Sequence, residues 1–475
     1  MSYSQNDSTL ENLKESPSGA ALQLTKYPVG SIKEIWTLSY PLMLSALSGT
    51  LMIFFDRLIL ARFQTQAMNA AANAGMIFFT WLFVAIGIAG IAEVLVGQYN
   101  GARDYKKIGK PVWAMIWFSC MLTLPYWAIG IWGSPYLIPD TMAFHGVPYL
   151  RCLMLFSPMF PLVAALSAFF IGRGKVMIVT LTVAGGNILN LVLDVVLVFG
   201  VPGLIPEMGS IGAAIGTGIA QTSIAVVLFA LFLKKKHREA YGTNQWRIDW
   251  GAFKACLKIG LPNSIGHLAS ISAWTLVMYM LSDKSFEHIT VFTIAQSLWI
   301  LFSFVTDGTQ KAVATVASNF IGAKQMKMIK PMLKSALMLQ GLYALAFLVP
   351  LVVVPGLIID QFLPKDLSIE VYESMVMALE LGLIWMSFAL LCDAIMLVIA
   401  GVLTAAGDTL FIMAANGLGS WLFGLLPMYT IVVSRESAAS TSLILLTFNT
   451  MIMAGVFFAR YKSNVWQKKA NLIKN

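Results

Sequence analysis

Apolar runs long enough to cross a bilayer, which takes about 20 residues in a helix, recur along the whole chain between short polar breaks. They predict twelve helices, near 34–61, 75–99, 112–133, 147–171, 178–200, 210–233, 253–282, 289–318, 333–357, 370–402, 409–433 and 440–460. Six fall in each half. The most polar interior stretch, KKKHREAYGTNQWRIDW at 234–250, lies between the halves. The expected organisation is an amino-terminal tail (1–33), a first lobe (34–233), a linker (234–252), a second lobe (253–460) and a carboxy-terminal tail (461–475). The predicted fold class is an all-α membrane protein with twelve transmembrane helices in two pseudo-symmetric six-helix lobes.

The halves rhyme. Lys33 and Pro41 match Lys254 and Pro262, each pair 221 residues apart. At the same spacing Gly101, Ala102, Lys106 and Ile108 match Gly322, Ala323, Lys327 and Ile329, and Arg103 faces Lys324. Later the spacing grows to 233, taking Gly174 to Gly407. An even number of helices per half makes the repeats parallel, an arrangement that in membrane proteins points to a transporter with its substrate path between the halves.

Composition agrees. Of 475 residues, 58% are hydrophobic and 12% charged, with mean hydropathy +0.76, whereas soluble domains carry roughly 25% charged residues. The net charge of +9 does not indicate nucleic acid, because the basic residues cluster between apolar runs. Arg103, Lys106, Lys107, Lys110, Arg173, Lys175, Lys234 to Lys236, Arg238, Lys324, Lys327 and Lys330 lie in even-numbered connections. Asp140, Glu207, Asp283, Asp360 and Asp366 lie in odd-numbered ones. By the positive-inside rule this predicts a multi-pass protein of a bacterial inner membrane with both termini cytoplasmic. Residues 1–30 lack the apolar core of a cleaved signal peptide. Cys120, Cys152, Cys256 and Cys392 show neither CxxC nor metal-ligand spacing and are expected to be buried free thiols.

Enzyme signatures are missing. Gly174-Lys175 lacks the upstream glycine of a phosphate-binding loop, and HExxH and GxSxG do not occur. The predicted protein is a transporter and not an enzyme, and without a nucleotide site its transport is expected to be secondary. Its chemistry must then lie in ionisable groups within apolar helices, each costing about 2.5–3.5 kcal/mol at a helix centre. Asp56 sits in SGTLMIFFDRLIL, beside Arg57 and near Arg62, and pairing with either arginine is its structural alternative. Asp194 lies four residues after Asn190, on one helix face; polar glue between helices is the alternative there. Asp393 lies in FALLCDAIMLVIAG with no base nearby in sequence, and proton binding and a structural role weigh equally. Glu93, His267 and the Asp307–Lys311 pair, one turn apart, are further candidates. Asp307 and Lys311 are expected to satisfy each other, and His267 to be a hydrogen-bonded core histidine. Pro41 and Pro262 read either as bending points or as helix starts.

The chain resembles the multidrug and toxic compound extrusion (MATE) family of bacterial antiporters. The resemblance is carried by YPLMLSALSGTLMIFFDRLIL, GQYNGARDYKKIGK, NILNLVLDVVLVFG, GSIGAAIGT, GLPNSIGH and CDAIMLVIAGVLTAAGDT, over roughly 30 to 460. It implies a coupling site for H+ or Na+ in the first lobe, at positions matched by Asp56, Asn190, Asp194 and Thr217; these four would also be the ligands of a bound Na+. It implies a second-lobe proton or substrate site at Asp393, but the helix 7 glutamate of some relatives is replaced by Ser270. It further implies a monomeric multidrug efflux antiporter of organic, mostly cationic compounds, embedded in the lipid bilayer, with no cofactor beyond the coupling ion and no nucleic-acid partner. A lipid-linked precursor flippase, a metabolite or siderophore exporter and, more remotely, a channel are the alternative functions. The acids do not repeat between halves: Asp56 faces Val277, Asp194 faces Pro427 and Asp393 faces Phe160. The halves are expected to share a frame but not a chemistry.

Overall fold

In the computed structural model, which describes residues 23–363, 368–435, 437–470 and 472, twelve helices are long and apolar enough to cross a membrane. They are α1 (Ile32–Phe63), α2 (Thr65–Gly101), α3 (Tyr105–Leu137), α4 (Asp140–Ile171), α5 (Val176–Phe199), α6 (Gly209–Phe232), α7 (Trp250–Lys284), α8 (Phe286–Gly322), α9 (Met326–Val353), α10 (Ile369–Ala405), α11 (Thr409–Val433) and α12 (Ser440–Lys462). Most of the predicted amino-terminal tail, with Asp7, Glu11 and Glu15, and the acidic position Asp366 lie outside the described residues.

Local chemistry sets the helix starts. Ser31 caps α1, its hydroxyl accepting from the Glu34 N–H at 3.3 Å. Asp249 caps α7, accepting from the Ala252 N–H at 2.9 Å and pairing with Lys110 at 2.9 Å. Pro41 and Pro262 therefore lie inside α1 and α7, which corrects their reading as helix starts. The helix α2 begins ten residues before its apolar run. Its first turns, TQAMNAAANA, are rich in alanine, a strong helix former of low hydropathy, and Ala67, Ala70, Ala71 and Ala74 are buried. The helix α9 stops at Val353 rather than 357, because Pro355 disfavours helical backbone at the residue before it. Between the halves a short helix, Lys235–Tyr241, occupies part of the predicted linker.

The apolar interior is one body at one end and two at the other. At the end carrying the termini, residues of both halves, including Ile35, Val94, Phe169, Ala312, Phe320 and Val402, share one core. Toward the far end, Leu60, Phe78, Leu150 and Val198 form a core within the first half, and Val277, Leu298, Leu379 and Leu443 form one within the second. The free thiols follow this layout only in part. Cys256 is buried, Cys152 and Cys392 are intermediate, and Cys120 is exposed. The expectation of buried thiols fails because an apolar stretch in a membrane protein also covers the lipid-facing side.

The shared end is closed by a pseudo-symmetric crossing of α2 and α8. A Cβ at Gly101 would collide with the Asn319 carbonyl, and one at Gly322 with the Gln98 carbonyl, so both positions require glycine. Gln98 Nε2 donates to the Ala405 carbonyl at 2.9 Å, across the halves. Asn319 Nδ2 donates to the Gly172 carbonyl at 2.8 Å, across in the opposite sense. The flanking turns repeat as well: Arg103 and Lys324 both have φ 58°, and Gly174 and Gly407 have φ 73° and 72°.

Candidate cation-coupling site

Three helices bring the first-half candidates together. Asp56, on α1, is 8% exposed, and Asn190 and Asp194, on α5, are fully buried. Asn190 Nδ2 donates to Asp194 Oδ1 at 3.2 Å and to Thr217 Oγ1, on α6, at 3.4 Å. Asp56 and Thr217 line one cavity, and the Asp56 carboxyl interacts electrostatically with Asp194. The close approach of α6 depends on Gly216, where a Cβ would run into the Asp194 carboxyl.

The cluster has acceptors to spare. Asp56 Oδ1, Asn190 Oδ1 and Asp194 Oδ2 are buried and have no hydrogen-bond partner among the described residues. Buried polar atoms are nearly always partnered, so three oxygens in one cluster without a partner are acceptors left open to a donor or a cation. Two ionised carboxylates at this approach repel, and a shared proton or a cation held by both removes the repulsion. The pairing of Asp56 with Arg57 or Arg62 does not occur: among the described residues no arginine forms an ion pair with it. Among the described residues no group of three His, Cys, Asp or Glu is arranged to hold a metal ion. The donor set, two carboxyls, an amide and a hydroxyl, consists of hard oxygens suited to H+ or Na+.

Beside this cluster lies a cavity of about 310 Å³. Its polar lining is Asp56, Arg57, Thr80 and Thr217. Phe78, Phe79, Tyr149 and Phe160 supply aromatic surface, and Leu268 and Ile271 of α7 close it from the second half. The cavity is therefore built mainly by the first half and bounded on one side by α7 of the second. Tyr149, which sequence reasoning missed, is buried and lines the cavity with Asp56. Nothing in its local sequence distinguishes it from an ordinary aromatic of an apolar helix.

The remaining candidates lie elsewhere. Asp393, on α10, has the Asp307 carboxylate of α8 as its charged neighbour. Asp307 and Lys311 form no ion pair, so they do not satisfy each other by direct contact. Glu93 instead accepts from Thr315 Oγ1 at 2.6 Å, joining α2 to α8. His267 packs edge-on against Phe83, ring centroids 6.1 Å apart; among the described residues its ring makes no hydrogen bond, contrary to expectation. Ser270, at the place of the missing glutamate, shares a hydrogen bond with Ser420 at 2.7 Å.

A twelve-helix membrane bundle of two repeated halves, with a cavity reached by both and a buried cluster of carboxyl, amide and hydroxyl groups beside it, has the architecture of a membrane transporter. The sequence profile of the MatE family matches residues 41–196 and 262–430. The chain belongs to that family, whose members are transporters and not enzymes. It is 22% identical over 408 residues to a probable multidrug resistance protein NorM of Photorhabdus laumondii, covering 83% of this chain and 86% of that one. It is also 22% identical over 405 residues to the multidrug and toxin extrusion protein 1 of Danio rerio, covering 83% of this chain and 65% of that one. Among solved structures, a multidrug resistance MATE family transporter in an outward-facing conformation superposes with a TM-score of 0.79. That match is 18% identical and covers 94% of this chain and 99% of the other. At that identity the likeness establishes the fold alone.

Proposed function

We propose that the protein is a secondary antiporter that extrudes organic, mostly cationic compounds from the bacterial cytoplasm in exchange for external H+ or Na+. The observation that carries this reading is the set of unpartnered oxygens of Asp56, Asn190 and Asp194 beside the cavity. A site of this kind is incomplete until a cation arrives. Because Asp56 and Thr217 also face the cavity, ion and substrate compete for the same carboxylate.

The cycle follows from two states of the halves. In the conformation described, the end carrying the termini is sealed by Gln98 and Asn319, and assigned to the cytoplasm it makes this the outward-facing state. A positive charge entering a cell gains about 2.3 kcal/mol per 100 mV of membrane potential. Binding of the ion to the Asp56–Asp194 pair expels substrate outward and changes how α1 packs on α5 and α6. The halves then rock to open the sealed end, where the ion leaves and substrate enters. The ion drives this only if it binds the two states unequally.

Uptake of a panel of cationic dyes into inverted vesicles, whose cytoplasmic face is outward, under separately imposed proton and sodium gradients, tests the reading. Gradient-dependent transport that is lost in Asp56→Asn and Asp194→Asn supports it; transport indifferent to both gradients overturns it.

A further inference from the structure

The cavity beside the coupling cluster has two charged residues on its lining, Asp56 and Arg57. They are neighbours in sequence and opposite in sign. Arg57 is exposed, and among the described residues it forms no ion pair, with Asp56 or with any other carboxylate. Anchoring at the membrane surface does not account for it. Arg62 stands beside the end of α1 at Phe63, whereas Arg57 lies a turn and a half before it, about 9 Å along the helix at 1.5 Å per residue. A charge at that depth is costly against lipid and is kept where it lines a water-filled space. The same lining presents ring faces: Phe79 and Phe83 are 40% and 41% exposed.

The two charges answer the coupling ion differently. A carboxylate is neutralised by a proton or balanced by Na+, while a guanidinium keeps its charge. With Asp56 ionised, the lining sums to zero, +1 from Arg57 and −1 from Asp56. With an ion on Asp56 only the +1 of Arg57 is left. An aromatic cation, first held by the carboxylate and the ring faces, then meets an uncompensated positive charge. An aromatic carboxylate or sulfonate meets a fork of donors shaped for it.

We propose that Arg57 is a specificity-determining residue: it sets the charge balance of the cavity, so that loading Asp56 with its ion turns the pocket against aromatic cations and toward aromatic anions. This rests on the efflux reading above and gives its expulsion step a residue, but its test is separate. In a partly hydrated cleft, adding or deleting one charge beside the ligand is expected to change affinity about tenfold.

Two single-ring probes of opposite permanent charge, phenyltrimethylammonium and benzenesulfonate, decide the matter by titration calorimetry on the purified full chain. Arg57→Gln is expected to bind the cation about tenfold more tightly than wild type and the anion about tenfold less tightly, moving the ratio of the two affinities about a hundredfold. Arg57→Lys, which keeps the charge, should leave that ratio near the wild-type value. Asp56→Asn, which fixes the charge of the ion-loaded cavity, should move the ratio the other way, toward the anion, and adding Arg57→Gln to it should bring the ratio back. Arg57→Met gives the same measurement if the glutamine variant does not fold. The proposal is overturned by an unchanged ratio in both neutral variants, by a shift of the same sign for both probes, by a shift in Arg57→Lys equal to that in Arg57→Gln, or by a failure of both probes to bind wild type and Asp56→Asn. If inverted vesicles take up no dye under either gradient while the ratio shifts as stated, the efflux reading fails and the role of Arg57 in the cavity stands.

Discussion

Gln98 and Asn319 occupy matching positions in the two repeats, and each reaches across to a backbone carbonyl of the other half. Their acceptors, Ala405 and Gly172, also match in the repeat. The pairing is not fully symmetric. Gln98 also donates to the Ala470 carbonyl at 3.1 Å and accepts from the Leu472 N–H at 3.2 Å, so the carboxy-terminal tail is tied into the seal. Asn319 is joined instead by Asn100 Nδ2, at 2.7 Å from its Oδ1.

Breaking either side of this seal should shift the protein toward the opposite opening. Each lost amide leaves a buried carbonyl without its donor, at about 1–3 kcal/mol, and Gln98→Ala should exceed Asn319→Ala because it also releases the tail. Spin labels at the exposed matching positions Lys106 and Lys327 should move apart in both variants. Gly322→Leu, whose side chain would enter the Gln98 backbone, should separate them further. Distances unchanged from wild type in all three would mean that the seal does not depend on these residues.

At the coupling site, Asp56→Asn and Asp194→Asn should each abolish gradient-driven transport. Asn190→Ala and Thr217→Ala should only weaken it, on the order of tenfold, because each removes a neutral ligand and no charge. Gly216→Ala should also impair transport, since its methyl would displace the Asp194 carboxyl from α6. Initial rates of dye uptake into inverted vesicles under each imposed gradient measure all five. Normal coupling in the Asp194 variant would remove it from the site.

The tail has its own anchor. Asp408, fully buried, accepts from Arg460 Nε at 2.7 Å and Nη2 at 3.1 Å and from Lys469 Nζ at 2.7 Å. Asp408 is buried while Arg460 and Lys469 reach solvent, so losing its charge costs about 1.5–3 kcal/mol, as for a hydrogen bond to a charged group. Asp408→Asn should therefore expose the segment 465–470 to proteolysis and raise its amide exchange, while the membrane helices keep their protection. Equal exchange in both proteins would show that Trp466 and Ala470, both buried, hold the tail without it.

Outside the membrane, His237 gives a pH signature. Its ring lies against Phe169 and Tyr241, centroids 5.2 and 5.7 Å away, and Nδ1 is 2.7 Å from the Leu231 carbonyl. Burial, helped by the nearby Arg173 charge, pushes it down from 6.5 to about 4. Between these values the unfolded chain binds a proton that the folded chain does not. The histidine's contribution is therefore complete above about pH 6.5 and is lost as pH falls toward 4. The thermal unfolding temperature of wild type should decline over that window, with a shallower slope in His237→Phe. Parallel slopes would contradict it.

The sequence was read well where hydropathy and repetition carried the information. Twelve spans appeared near their observed positions because a membrane helix must be apolar along its whole length. The misplaced ends fall where that rule weakens, at the alanine-rich start of α2 and at Pro355 after α9. The four residues proposed for coupling were assigned through the family resemblance, and the fold places Asn190 on Asp194 and Thr217 and sets Asp56 and Thr217 on one cavity. Tyr149, Gly216 and Thr315 were not assigned, because each matters only through what another helix places opposite it. Gln98 and Asn319 lay within reach, since they share the spacing of Gly101 and Gly322, but their role rests on partners in the other half.

By itself, then, the sequence determined a duplicated twelve-helix membrane protein with costly acids in its helices, because hydropathy, charge placement and repeat spacing act along the chain. Only the tertiary structure decided which oxygens are left without partners and which end is sealed. Those depend on distances between helices far apart in the chain, set by close approaches such as Gly216 to Asp194 and Gly322 to Gln98.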